Sequence, residues 1–185
     1  MNGYAAVFNS QSENLGYEYE IREMILPTAI DDMTIAESDV FALLDHNRNL
    51  GVLARSKYGV GTLNLSVDDN GLAFNFDAMQ DQFSENVLAN VRNGNLDKCS
   101  FAFSVDGENW DKIEEGKWLR TITHIKRLYD VSMVWQPAYE GTEVTARSMD
   151  DVLKTKLDEM IEQRKCGDTT DKEKKGCGTM DDDEE

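Results

Sequence analysis

The sequence predicts an α+β fold dominated by β-strands, a small antiparallel barrel or sandwich with helices packed outside. Three observations predict it. Apolar and polar residues alternate through two neighbouring segments that flank an Asn-Gly pair. Further strand-like stretches follow, and two segments alone carry the three- and four-residue spacing of an amphipathic helix. Strands therefore seldom alternate with helices, which disfavours a strict α/β arrangement. The 185 residues are 40% apolar and 9% aromatic, enough for one domain-sized core plus a tail.

Taken in chain order, the first strand of note is Val40-Phe41-Ala42-Leu43-Leu44-Asp45-His46, which runs into the polar Asn47-Arg48-Asn49. Thr62–Val67 alternates strictly, with Leu63, Leu65 and Val67 on one face. Asp68-Asp69-Asn70-Gly71 reads as a turn whose Asn-Gly pair suits positive φ, and Leu72–Phe76 returns with Leu72, Phe74 and Phe76 inward. Residues 82–93 take helical period through Phe83, Val87, Leu88 and Val91, and Gly94 stands where a glycine cap belongs. Strands resume at Cys99–Val105, Trp118–Ile125 and Leu128–Trp135. Met149, Val152, Leu153, Leu157, Met160 and Ile161 mark a second helix, with Gly167 as its stop. The segment 165–185 has no Leu, Ile, Val or aromatic residue and ends in five acidic ones, so it reads as a flexible tail. The expected organisation is a domain over 1–148, an amphipathic helix over 149–165 and an acidic tail over 166–185.

Charge and composition exclude several functions. Thirty-six acidic against nineteen basic side chains give a net charge of −17. A phosphate backbone or an anionic membrane rewards Lys and Arg, so neither nucleic acid nor membrane is an expected partner. Of the −17, −11 lies in residues 1–147 and −6 in residues 148–185. No apolar run approaches the ~20 residues of a membrane-spanning helix, and the N-terminus lacks the pattern of a signal peptide. Cys99, Cys166 and Cys177 are too few and too scattered for a zinc site, and no metal or cofactor is expected. A protein kept in a reducing cytoplasm is the plain reading.

Candidate chemistry is confined by the histidines, of which there are two, His46 and His124. His46 closes an apolar strand at a polar loop, where an imidazole is both held and reachable as a general base; an exposed turn histidine fits the same pattern. His124 reads as a half-exposed strand histidine beside Arg120, Ile122 and Lys126. Ser100 points away from the core face of Phe101, Phe103 and Val105, beside the small Ala102 and Ser104. That position suits a nucleophile with room for a substrate, and equally a solvated strand face. Asp130 and Ser132 lie opposite the apolar face of Tyr129, Val131, Met133 and Trp135. A carboxylate there is either exposed or paired, and pairing with an imidazole would orient a base. Spacing alone does not join these residues.

The blocks Gly3–Phe8, Leu43-Leu44-Asp45-His46-Asn47-Arg48, Gly61-Thr62-Leu63, Asp69–Leu72, Asn93–Phe103, Asp130–Val134, Pro137-Ala138-Tyr139, Thr142 and Arg147-Ser148 give the sequence a resemblance. Taken together and in order, they resemble the prohead proteases of tailed bacteriophages, serine peptidases distantly related to the herpesvirus assembly protease. The resemblance implies a closed antiparallel β-barrel flanked by helices. It also implies Ser100 as nucleophile, His46 as its base and a third, base-orienting member on a later strand. Asp130 matches the acidic position for that member; His124 is its rival, because the herpesvirus relatives use a second histidine. The segment around Arg147 is the implied source of oxyanion donors. The implied substrates are the scaffolding segment of the major capsid protein, or a separate scaffold, and the protease itself. The implied place of action is the assembling prohead in the cytoplasm of an infected bacterium. Monomer and homodimer are both compatible with the sequence. The alternative function is an inactive capsid scaffold or assembly protein that keeps the same barrel.

Overall fold

A computed structural model describes residues 1–135. The expected helix at 149–165, the tail at 166–185, the Pro137-Ala138-Tyr139 block and the segment around Arg147 lie outside the described residues. In chain order the elements are β1 (Asn2–Val7), β2 (Glu20–Ile25), α1 (Asp32–Ala36), β3 (Asp39–Leu44), β4 (Ala54–Lys57), β5 (Val60–Gly61) and β6 (Asn64–Val67). They continue with β7 (Gly71–Asn75), α2 (Gln82–Arg92), β8 (Lys98–Glu114) and β9 (Lys117–Val134). The mainly-β α+β class is as the sequence predicts.

The closed antiparallel barrel is not. The strands form two open sheets, a three-stranded one in the order β1-β7-β6 and a six-stranded one in the order β2-β9-β3-β4-β5, with β8 also on β9. The sheets stay open at two places. Gly3 of β1 packs close to Cys99 of β8, but no ladder joins these strands. Between β5 and β6 the chain bends, and the N–H groups of Thr62 and Leu63 both turn to the Arg55 carbonyl. The pairing is also not all antiparallel, since β2 and β3 both run parallel to β9.

The long strand β9 organises the large sheet. β8 pairs along the whole of one edge, while β2 and β3 share the other edge end to end, at residues 117–122 and 130–133. The two strands expected at Trp118–Ile125 and Leu128–Trp135 are thus one, and its register with β8 shifts repeatedly. Ala102 pairs with Asp130 but Phe103 with Leu128, so Tyr129 is an extra residue that swaps faces. The predicted apolar face is corrected accordingly. Val131 and Met133 are in the core, Leu128 joins them, and Tyr129 and Trp135 are exposed.

Elsewhere local chemistry explains the elements. The β6–β7 hairpin forms with Val67 opposite Leu72, and Leu63, Leu72, Phe74 and Phe76 are buried. Its turn does not use positive φ at Asn70 or Gly71. Instead Asp68 Oδ1 accepts hydrogen bonds from the N–H groups of Asn70 and Gly71. Gly71 is required for another reason, because a Cβ there would lie 1.9 Å from the Ala6 carbonyl oxygen of β1. Helix α2 is capped by Asp81, and Gly94 follows it at φ 71°. The short α1, which the pattern did not predict, is held by a capping box between Asp31 and Thr34. A buried ion network fastens β2, β9 and β8. Arg120 donates to Glu23 Oε2 at 2.6 Å and to Glu108 Oε2 at 2.7 Å.

Candidate active site

The end of β3 does something the alternation could not show. The strand stops at Leu44, so His46 lies beyond it rather than closing it. Asp45 and His46 both sit at φ 54°, and the Asn47 N–H closes the turn onto the Leu44 carbonyl at 3.0 Å. Two successive non-glycine residues in the left-handed region are uncommon, and such strain concentrates at functional sites. The turn is pinned to β9 by the Asp45 N–H on the Met133 carbonyl at 2.9 Å. Arg48, just after it, stacks its guanidinium 4.2 Å from the centroid of Phe41.

This turn brings His46 to β9. Its Nδ1 lies 2.7 Å from Asp130 Oδ1, and both side chains are largely buried. The same carboxylate oxygen accepts a second hydrogen bond from Ser132 Oγ at 2.6 Å. With Nδ1–H donating to the carboxylate, the lone pair of the imidazole is on Nε2. That atom is buried and has no hydrogen-bond partner among the described residues.

Ser100 belongs to the same face. It pairs across the ladder with Ser132, and Ala102 pairs with Asp130, so the four side chains share one side of the sheet. On the other edge of β9, Phe41 is opposite Asp130 and Leu43 opposite Ser132. Ser100 itself is buried, at 1% exposure. No hydrogen bond joins it to His46 Nε2. Burial pushes the neighbouring Cys99 thiol above its usual range. A thiol held protonated is a poor nucleophile.

His124, the sequence's rival for the third position, is elsewhere. It is exposed and hydrogen-bonded to Asp106, whose carboxylate holds the imidazole pKa above its ordinary value. It lies six positions before Asp130 along β9, roughly 20 Å at the rise of an extended strand. Ser132 is the residue whose part the sequence reading missed. Its placement two residues after Asp130 was the available signal, since i and i+2 share a strand face.

A profile of the family described as Caudovirus prohead serine protease matches residues 1–155 of the 185. The chain belongs to this family. No curated protein and no solved structure shows significant similarity to it. The match covers every element that builds the site, from β1 to β9. The buried imidazole–carboxylate pair and Ser100 lie within the matched residues. Membership assigns it in general to capsid maturation. Among the described residues no helix is long and apolar enough to cross a membrane.

Proposed function

We propose that the protein is a serine endopeptidase that cleaves the scaffolding segment of the capsid protein, or a separate scaffold, and itself during prohead maturation. The observation that carries this reading is the His46 Nδ1–Asp130 pair at 2.7 Å, which leaves a buried, unpaired Nε2 on a site shared with Ser100. In the mechanism, His46 Nε2 takes the proton of Ser100 Oγ as that oxygen attacks the scissile carbonyl. Asp130 fixes the tautomer and stabilises the imidazolium that forms. The imidazolium then gives its proton to the leaving amine, and an acyl-enzyme on Ser100 results. Water, deprotonated by the same nitrogen, releases the acyl group. The reaction takes place in the bacterial cytoplasm, within the assembling prohead.

Co-expression with the major capsid protein of the same phage, followed by mass spectrometry of the products, tests the reading. The wild type should trim the capsid protein, whereas Ser100→Ala and His46→Ala should leave it whole. Trimming that survives in Ser100→Ala would show another nucleophile at work. A wild type that leaves the capsid protein intact would favour an assembly role without hydrolysis.

A further inference from the structure

Two serines share one face of the sheet beside Asp130, and they are not equivalent. Ser132 is fully buried at the middle of a row formed by Leu43 on β3, Ser132 on β9 and Ser100 on β8. Its proton is committed to Asp130 Oδ1, the oxygen that also accepts from His46. A hydroxyl with no exposure and an engaged proton is not available for attack, and burying it costs free energy unless it is paired. Its presence at a site where an alanine would fit therefore points to the carboxylate.

We propose that Ser132 is a positioning residue, which locks the Asp130 carboxylate so that His46 is held in the tautomer with its lone pair on Nε2. The inference rests on the reading of Ser100, His46 and Asp130 as the reacting set. The terminal torsion of an aspartate is broad and roughly two-fold. With the imidazole as its one donor, the carboxylate can turn about that torsion and carry the ring with it. A second donor fixed on the strand two residues along removes this freedom, because Ser132 and Asp130 share one rigid stretch of β9 backbone. Both donors meet at Oδ1, so the imidazole's direction is defined against β9 at one end and by the Asp45–His46 turn at the other. Ser132 donates to Asp130 and acts through it.

The test compares the full-length wild type with Ser132→Ala, the size-matched Ser132→Cys and the hydroxyl-retaining Ser132→Thr. Nitrogen-15 NMR of histidine-labelled protein reads the tautomer directly, and with two histidines in the chain a His124→Gln background assigns His46. Covalent labelling by a fluorophosphonate, in which Ser100 Oγ bonds to phosphorus and fluoride leaves, reads the competence of the nucleophile. Ala and Cys should shift His46 from a single Nδ1–H form to a mixture and slow labelling about tenfold, the scale of one hydrogen bond to a charged group. On the capsid protein, kcat should fall while KM stays nearly unchanged. Threonine should restore the tautomer and most of the rate. Wild-type spectra and labelling in the Ala and Cys variants would overturn the inference, as would slower labelling with the tautomer intact. If the wild type is not labelled at all while Ala shifts the tautomer, the peptidase reading fails and the positioning role of Ser132 stands.

Discussion

Asp130→Asn changes one atom in the site and removes its charge. The separation of the Asp130 and His46 charge centres is about 4 Å, given a contact of 2.7 Å between Nδ1 and Oδ1. The two side chains are 8% and 15% exposed, so the surroundings are those of a partly desolvated pair. At an effective dielectric constant of ~20 such a pair gains about 4 kcal/mol, against about 1 kcal/mol in bulk water. In the proposed mechanism the imidazolium forms as Ser100 gives up its proton, so this sum is withdrawn from the transition state and not from bound substrate. Asparagine should therefore lower kcat about a thousandfold with little change in KM, at about 1.36 kcal/mol per decade. If the amide instead turns its NH2 toward Nδ1, the proton is driven to Nε2 and the lone pair facing the reaction is lost, with a similar or larger effect. A time course of capsid-protein cleavage, with thermal melting to confirm folding, measures it. A loss below about tenfold in a folded variant would refute the argument, because it would mean a solvated pair or a different third member.

The remaining predictions bear on the surroundings. His124→Gln should leave the cleavage rate within about twofold, since the residue lies on an exposed stretch of β9 paired with Asp106. Asp45→Val puts a β-branched residue at φ 54°; it should cost about 1–2 kcal/mol in denaturant melts and slow cleavage by displacing His46. Arg120→Met removes the guanidinium that buried Glu23 faces, at a cost of about 3–5 kcal/mol, or roughly 6–20 °C in Tm. Glu23 also sets a pH signature, because burial, the dominant influence, raises its pKa in the folded state. The folded chain keeps that proton at pH values where the unfolded chain has released it. Glu23's contribution to stability is thus lost as pH rises through its folded pKa, and melting of Glu23→Gln across pH should lack that decline.

Where the sequence could be read, it was because one face decided the pattern. The hairpin from Leu63 to Phe76 buries alternate residues against the core, so period two was visible, and α2 buries Val87 on the period of a helix. Ser100, His46 and Asp130 could each be marked as a polar residue in a place that invites chemistry. Their meeting could not be read, because it depends on contacts 84 residues apart in the chain, as between His46 and Asp130. The bulge at Tyr129 was hidden for a related reason: an extra residue in a ladder leaves the local apolar count unchanged and reverses which side is inside. The two left-handed residues Asp45 and His46 carry no glycine to announce them. The acidic surplus is spread along the chain and could not locate the site.

The departure from an antiparallel barrel is what allows the site to assemble. In an antiparallel pair, the end of one strand lies beside the beginning of its neighbour. Because β3 runs parallel to β9, the carboxyl ends of both strands arrive on the same side of the sheet. The turn leaving β3 at Asp45–His46 therefore falls next to Asp130, Ser132 and Met133, which are near the end of β9. β8 is antiparallel to β9, so its beginning, with Lys98 opposite Val134 and Ser100 opposite Ser132, reaches the same place. Two strand ends and one strand beginning thus deliver base, carboxylate and hydroxyl from three distant parts of the chain. A parallel pair needs a long crossover, and the chain supplies one from Asp45 to Gly116. That crossover carries β8 itself, so the strand of Ser100 is part of the connection that lets His46 pair with Asp130.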